Sequence, residues 1–285
     1  MTAVRPAKSS LRRLLPLAGV ALAFGVGSDL LKAATRPCPK DMVHITNYCI
    51  DRYETAARDA KTNELLSPYY PPEPTWLEKI HRIWENQKSA IGDESARLMP
   101  LPALSELQRS GKYRPKAVSE KGLVPQGYLS YYSAKRLCET AGKRLCTADE
   151  WDKACRGEKR TQFPYGPEYR ANQCNVGSQL HPAAVLHGLS SSGHLDPRLN
   201  LLMIAGDAPV LRETGATPTC ASRWGDDAVF DMVGNLDEWV ATETGVFRGG
   251  FYARRSRIGC DAEVKNHSAT YFDYSTGARC CRDAN

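Results

Sequence analysis

The chain has 285 residues and a mass of 31.5 kDa, enough for one large domain or two small ones. It is 42% hydrophobic and 25% charged, which supports a sizeable core and excludes a wholly disordered or fibrous chain; a mean hydropathy of −0.46, with one apolar run at the N-terminus, excludes a polytopic membrane protein. The formal charge is +6, but Arg5, Lys8, Arg12 and Arg13 lie in a candidate leader and without them it falls to +2, so the basic balance is a targeting feature and no argument for nucleic-acid binding.

Residues 1–13 are basic and lack acids, and residues 14–27 (LLPLAGVALAFGVG) are apolar but short for a bilayer. These are the parts of a secretory signal, which places a leader over 1–34 and the mature protein in the periplasm or outside the cell. Gly25 and Gly27 permit cleavage before Ser28, with the Ala34 region as a second choice. A retained N-terminal membrane anchor is the competing reading. All ten cysteines follow the leader, and an even number behind an export signal reads as a disulfide framework. No CxxC spacing or paired Cys/His set points to zinc. The vicinal Cys280 and Cys281 are expected to join different distant partners.

In chain order, Met42–Ile45 and Tyr48–Ile50 predict two short strands around Thr46-Asn47. Residues 61–125 are rich in proline and read as an insertion in a domain spanning 37–285. Within them the apolar spacing predicts one amphipathic helix over Trp76–Ile91, packed on the body or on a partner. Ser133–Gly142 reads as a helix with Ser133 as N-cap. Thr147 and Glu150 form a capping box before a second helix, Trp151–Arg156, stopped by Gly157. Residues 157–230 read as long ordered loops. Short β-prone runs follow at Val246-Phe247, Phe251-Tyr252 and Thr270-Tyr271-Phe272.

The densest set of hard oxygen ligands is Asp231, Asn235, Asp237 and Glu238, with Gly234 allowing a tight turn; on spacing alone this is a calcium loop or a solvated acidic turn. Arg254, Arg255 and Arg257 could grip an anion with forked hydrogen bonds, or form a solvated basic edge. His181, His187 and His194 share one loop region at irregular spacing, which is weak support for a metal. No nucleophile elbow, zinc-protease helix, phosphate loop or dinucleotide fingerprint occurs.

Five ordered motifs then combine: Cys49-Ile-Asp-Arg-Tyr-Glu54; Cys138-Glu-Thr-Ala-Gly-Lys-Arg-Leu-Cys-Thr-Ala-Asp-Glu-Trp-Asp-Lys-Ala-Cys155; Val233-Gly-Asn-Leu-Asp-Glu-Trp239; Arg248-Gly-Gly250; and Gly277-Ala-Arg-Cys280. From about Cys38 to Asp283 the chain resembles the formylglycine-generating enzyme (sulfatase-modifying factor) family. The resemblance implies an α+β, C-type-lectin-like fold with little regular structure, stabilised by disulfides and calcium. It implies calcium donors at Asp231 and Glu238 with the carbonyls of Gly234 and Leu236, and a second site beginning at Asn175 and Val176. It maps the family's structural disulfides to Cys138–Cys280 and Cys155–Cys260. Cys38–Cys49 is a local candidate, and Cys146, Cys174, Cys220 and Cys281 are left open.

The family's two copper-binding cysteines fall, counted from Gly249-Gly250, on Arg254 and Gly259, and its serine on Phe251. Neither replacement ligates copper(I), which prefers thiolates. The expectation is an exported, non-catalytic binding or envelope-assembly module whose partner is a protein, peptide or glycan, not a nucleic acid. The alternative is a formylglycine-generating oxidase converting a substrate cysteine with copper and oxygen, for which Cys260 and Cys281 would have to supply the missing thiols.

Overall fold

The Thr46-Asn47 turn, with Thr46 at φ 53°, reverses the chain between β1 (Met42–Ile45) and β2 (Tyr48–Asp51). The structure is a computed structural model and describes residues 37–87, 92, 94–178, 180–188, 193–203, 208–254 and 256–285. The expected leader and anchor lie outside these residues. After β2 come β3 (Ala56–Asp59), α1 (Pro74–Gln87), α2 (Glu94–Leu98), α3 (Glu106–Ser110), β4 (Pro115–Val118), α4 (Tyr131–Thr140), β5 (Arg144–Leu145), α5 (Ala148–Arg156) and α6 (Pro182–His187). The C-terminal part adds β6 (Ala221–Trp224), β7 (Asp227–Phe230), β8 (Asp237–Val240), β9 (Val246–Arg248), β10 (Glu263–Val264), β11 (Thr276–Ala278) and β12 (Cys280–Asp283).

Two four-stranded sheets organise the α+β fold. One has the order β1-β2-β12-β5 and pairs the two ends of the described chain, with Cys281 opposite Ile50. The other has the order β10-β9-β8-β11, with β11 parallel to β8. Only Arg279 separates β11 from β12, so one residue carries the chain from sheet to sheet. β3–β4 and β6–β7 form separate antiparallel pairs.

The proline-rich insertion holds more structure than its sequence announces: α1, α2, α3 and β4, which pairs back onto β3. α1 begins two residues before the expected start, at Pro74, whose missing N–H costs nothing in a first helical turn. Its Leu77, Ile80 and Trp84 are buried in one core with Trp239 and Phe247. The insertion thus packs on its own body. Trp76, expected on the buried face, is 43% exposed.

Three further expectations are corrected. The N-cap of α4 is Ser130, whose hydroxyl accepts from the backbone N–H of Ser133; Ser133 is a first-turn residue whose hydroxyl meets that of Ser130. Residues 157–230 contain α6 and the β6–β7 hairpin. Phe251-Tyr252 and Thr270-Tyr271-Phe272 are not strands. Gly249 and Gly250, at φ +92° and +76°, turn the chain out of β9, and Tyr271 is drawn into a turn by its N–H bond to the Ser268 carbonyl. The capping box stands as read: Thr147 accepts from Glu150 N, and Glu150 reaches back to Thr147 N.

Candidate functional site

Asp231 and Asn235 lie at φ 59° and Gly234 at 85°, left-handed positions that Asp, Asn and Gly tolerate best. A Cβ on Gly234 would stand 2.2 Å from the Asn175 carbonyl oxygen, so only glycine lets the two loops meet. The segments expected to start two separate calcium sites therefore pack directly together. Asn235 N donates to Asn175 O at 2.9 Å, and the Asn175 amide donates to Asn235 Oδ1 at 2.9 Å and to the Val210 carbonyl. Val176 packs against Gly234.

The four acidic-loop side chains do not form one shell. Asn235 donates to Glu54 at 2.6 Å, Asp231 accepts from Gly215 N at 2.7 Å, and Asp237 accepts from Arg254 at 2.9 Å. Glu238 takes the Arg279 guanidinium at 2.8–3.0 Å and the Trp151 indole N–H at 2.6 Å. The sequence placed these oxygens within eight residues. The three left-handed residues then turn successive side chains in different directions. Among the described residues no three His, Cys, Asp or Glu side chains converge as a metal shell.

In the narrower donor set, Glu238 holds Arg279 and Trp151 with its two oxygens and Asp231 accepts from Gly215 N. No described hydrogen bond ends on the Gly234 or Leu236 carbonyl. Glu54, Asp231 and Glu238 are all buried near the Arg279 guanidinium, and that of Arg212 also pulls Asp231 down. Burial first, and then the Asp231 and Glu238 charges, push the Glu54 carboxyl well up; burial raises Asp231 to about 6. Three buried carboxyl groups against two guanidinium groups, beside two carbonyls without a described hydrogen bond, are the features a hard dication would use.

Beyond Gly249-Gly250, Phe251 packs edge-on to His181 and Tyr274, at 5.9 and 5.7 Å between ring centres. Arg254 lies 5.2 Å over Phe251 while bonding Asp237. Arg257 instead lies 5.7 Å over Tyr169. The two guanidinium groups serve different partners rather than one anion, and Arg255 lies outside the described residues. Gly259 adopts φ +59°, and a Cβ there would meet the Gln162 carbonyl at 2.3 Å. That position has no room for any side chain. Asp237 is fully buried with Oδ2 unpartnered, and burial raises it to about 7 against the opposing pull of Arg254.

Sequence reasoning missed the groups gathered around Phe251. His181 Nε2 lies 2.9 Å from the Tyr274 hydroxyl, His194 Nδ1 lies 3.8 Å from Asp273, and Tyr271 donates to Asp273 at 2.5 Å. Burial, then the neighbouring His194, lowers the His181 imidazole. The only sequence signal was the histidine trio, and the structure splits it. His187 leaves the group to bond buried Asp196 at 2.9 Å beneath Trp84.

All ten cysteines are paired: Cys38–Cys49, Cys138–Cys280, Cys146–Cys281, Cys155–Cys260 and Cys174–Cys220. The alternative thiol pair is therefore corrected. Cys260 and Cys281 each carry a disulfide to a different partner, and neither offers a thiolate.

The bovine (Bos taurus) inactive C-alpha-formylglycine-generating enzyme 2 is 26% identical over 132 residues, 44% of this chain and 35% of the relative. The mouse (Mus musculus) protein of the same name is 25% identical over 131 residues, 44% and 34%. The match thus spans about a third of each relative's length. Among solved structures, CarF aligns with a TM-score of 0.42 and 12% identity over 85% of this chain and 89% of its own. The Major Tropism Determinant U1 variant aligns at 0.43 and 15% over 87% and 54%. Residues 17–284 match the sulfatase-modifying factor enzyme 1-like domain, and the chain belongs to that family.

Proposed function

We propose that this chain is an exported, non-catalytic member of the family, a calcium- and disulfide-stabilised scaffold that presents a binding surface to a protein, peptide or glycan of the cell envelope or exterior. The observation that carries this reading is the complete pairing of the ten cysteines. Copper(I) oxidation of a substrate thiol needs soft thiolate ligands. Here the two expected positions are an arginine bonded to Asp237 and a glycine with no space for a Cβ. Relatives named as inactive formylglycine-generating enzymes accord with it. Five disulfides accord with an oxidising compartment, and no described helix is long and apolar enough to cross a membrane. Asp231 and Glu238 with the Gly234 and Leu236 carbonyls would hold the calcium, which neutralises buried charge and fixes the loop.

The test is a thiol count in denaturant, paired with copper(I) competition against a chelator, on protein purified from an oxidising compartment. The expected result is no reactive thiol and no stoichiometric copper. Two reactive thiols with tight copper binding would overturn the proposal in favour of the oxidase.

A further inference from the structure

A cleft of about 660 Å³ opens between the start of α1, the residues leading into β4, the outer face of α4 and the loop at 270–272. It lies apart from the acidic loop and from Arg254, and one wall belongs to the 61–125 insertion. Its size is that of a small-ligand site.

The floor holds two oxygens that the protein leaves unpaired. Tyr113 is 9% exposed, its hydroxyl is buried, and it has no hydrogen-bond partner; the same is true of Oε2 of Glu73, at the head of α1. The two groups feel each other: burial raises the Tyr113 phenol, and the Glu73 charge raises it further, so it remains a donor. A buried donor and acceptor left unmade cost free energy that a ligand can recover. An apolar occupant would strand both. A hydroxyl, which donates and accepts at once, satisfies both.

The lip is aromatic and basic. Trp76 is 43% exposed and meets Phe272 edge-on at 5.3 Å, and Tyr132 is 54% exposed. Aromatic faces in water beside buried hydroxyl partners suit a ring with one apolar face and a polar rim. Arg114 and Arg136 line the cleft without an ion pair among the described residues, and Lys79 lies 4.8 Å over Trp76. These cations outnumber the single carboxylate of Glu73, and arginine forks match carboxylates.

We infer that this cleft binds a short acidic saccharide: a sugar ring stacks at Trp76 and Tyr132, its hydroxyls engage Tyr113 and Glu73, and its carboxylate meets Arg114 and Arg136. This rests on the binding-module reading and supplies its ligand class.

The test is calorimetric titration of the full mature chain with trigalacturonate and triglucuronate. Maltotriose serves as a neutral sugar of the same length and citrate as an anion without a ring. Tyr113→Phe removes one hydroxyl and leaves the ring in place, so it reports binding in a folded protein; Trp76→Ala removes an exposed face. Saturable binding of at least one uronate is expected, weakened about tenfold or more by each variant and by added salt, with maltotriose at least about tenfold weaker. The assignment is overturned by the absence of saturable binding of either uronate at millimolar concentration. It is equally overturned by binding indifferent to both variants, by citrate binding as tightly, by maltotriose binding as tightly, or by a proline-rich peptide occupying the cleft while the uronates do not. None of these outcomes changes the thiol or copper result, so this inference and the non-catalytic reading fail separately.

Discussion

Arg279→Met tests the buried pair at the junction of the two sheets. The Arg279 and Glu238 side chains are 0% and 1% exposed. The guanidinium bonds both Glu238 oxygens at 2.8–3.0 Å, the Asp51 carbonyl at 3.0 Å and the Phe230 carbonyl at 2.8 Å. Methionine fills much of the volume and returns none of these bonds. It leaves Glu238 without its cation beside buried Glu54 and Asp231, and it strands two carbonyls. Removing one partner of a buried ion pair costs about 3–5 kcal/mol, and a domain holds only about 5–15 kcal/mol in all. The variant should therefore fold but lose much of its margin. Urea unfolding with the disulfides intact, followed by the fluorescence of buried Trp151 and Trp239, measures the loss; at a slope of about 2–3 kcal/mol/M the midpoint should fall by roughly 1–2.5 M. Arg279→Met with Glu238→Met should lose less than the sum of the two single variants, because no charge is then stranded. A single-variant loss under about 1 kcal/mol, or strict additivity in the double variant, would refute the view that this pair bolts the sheets together.

Calcium chelation should lower Tm, and added calcium should raise it more at pH 7.5 than at pH 5, because Asp231, lifted to about 6, must shed its proton to bind; an unchanged Tm at pH 7.5 with saturating calcium would sink the calcium reading. Asp237 has a folded value raised to about 7, so its contribution to stability is full below about pH 4 and is lost as the pH climbs through 7, by up to about 4 kcal/mol. Asp237→Asn should flatten that slope in pH-dependent unfolding, and parallel curves for the two proteins would contradict it. Trp84→Ala, in the core at 2% exposure, should cost about 3–5 kcal/mol, whereas Trp76→Ala at 43% exposure should stay within about 1 kcal/mol; equal urea midpoints for the two would be the wrong result.

Much of this fold was legible because its signals are local. Thr147 and Glu150 sit three residues apart and bond each other, so their spacing is the structure. Ser130 and Ser133 offered the same chemistry twice in one turn, and composition could not say which of them capped α4. The insertion was under-read because α2 and α3 are each only five residues long, too short for a period to emerge among the prolines. The candidate sites depend on long-range closure. Asp237 and Arg254 were each noticed, but not as a pair, since a loop and three positive-φ glycines intervene. Tyr113 and Glu73 stand forty residues apart in sequence and share a cleft only because β4 returns to β3, a pairing no spacing announces.

The vicinal cysteines show how one strand holds two cores together. Successive side chains of a strand point to opposite faces. On β12, Cys280 faces the core that contains Trp239, Phe247 and the α1 residues, and it bonds Cys138 on α4. Cys281 faces the core around Trp151 and Val229 and bonds Cys146, just before α5. The two links close loops of 142 and 135 residues, in the range where a cross-link removes the most freedom from the unfolded chain, about 4–5 kcal/mol each on an entropic estimate. Arg279 precedes them at the point where the chain leaves β11. Three consecutive residues thus fasten the insertion-bearing core, the acidic loop and the second core to a single strand. This joint needs no catalytic cysteine, so a chain on this scaffold can dispense with oxidation chemistry and still keep its fold and the clefts that the fold supports.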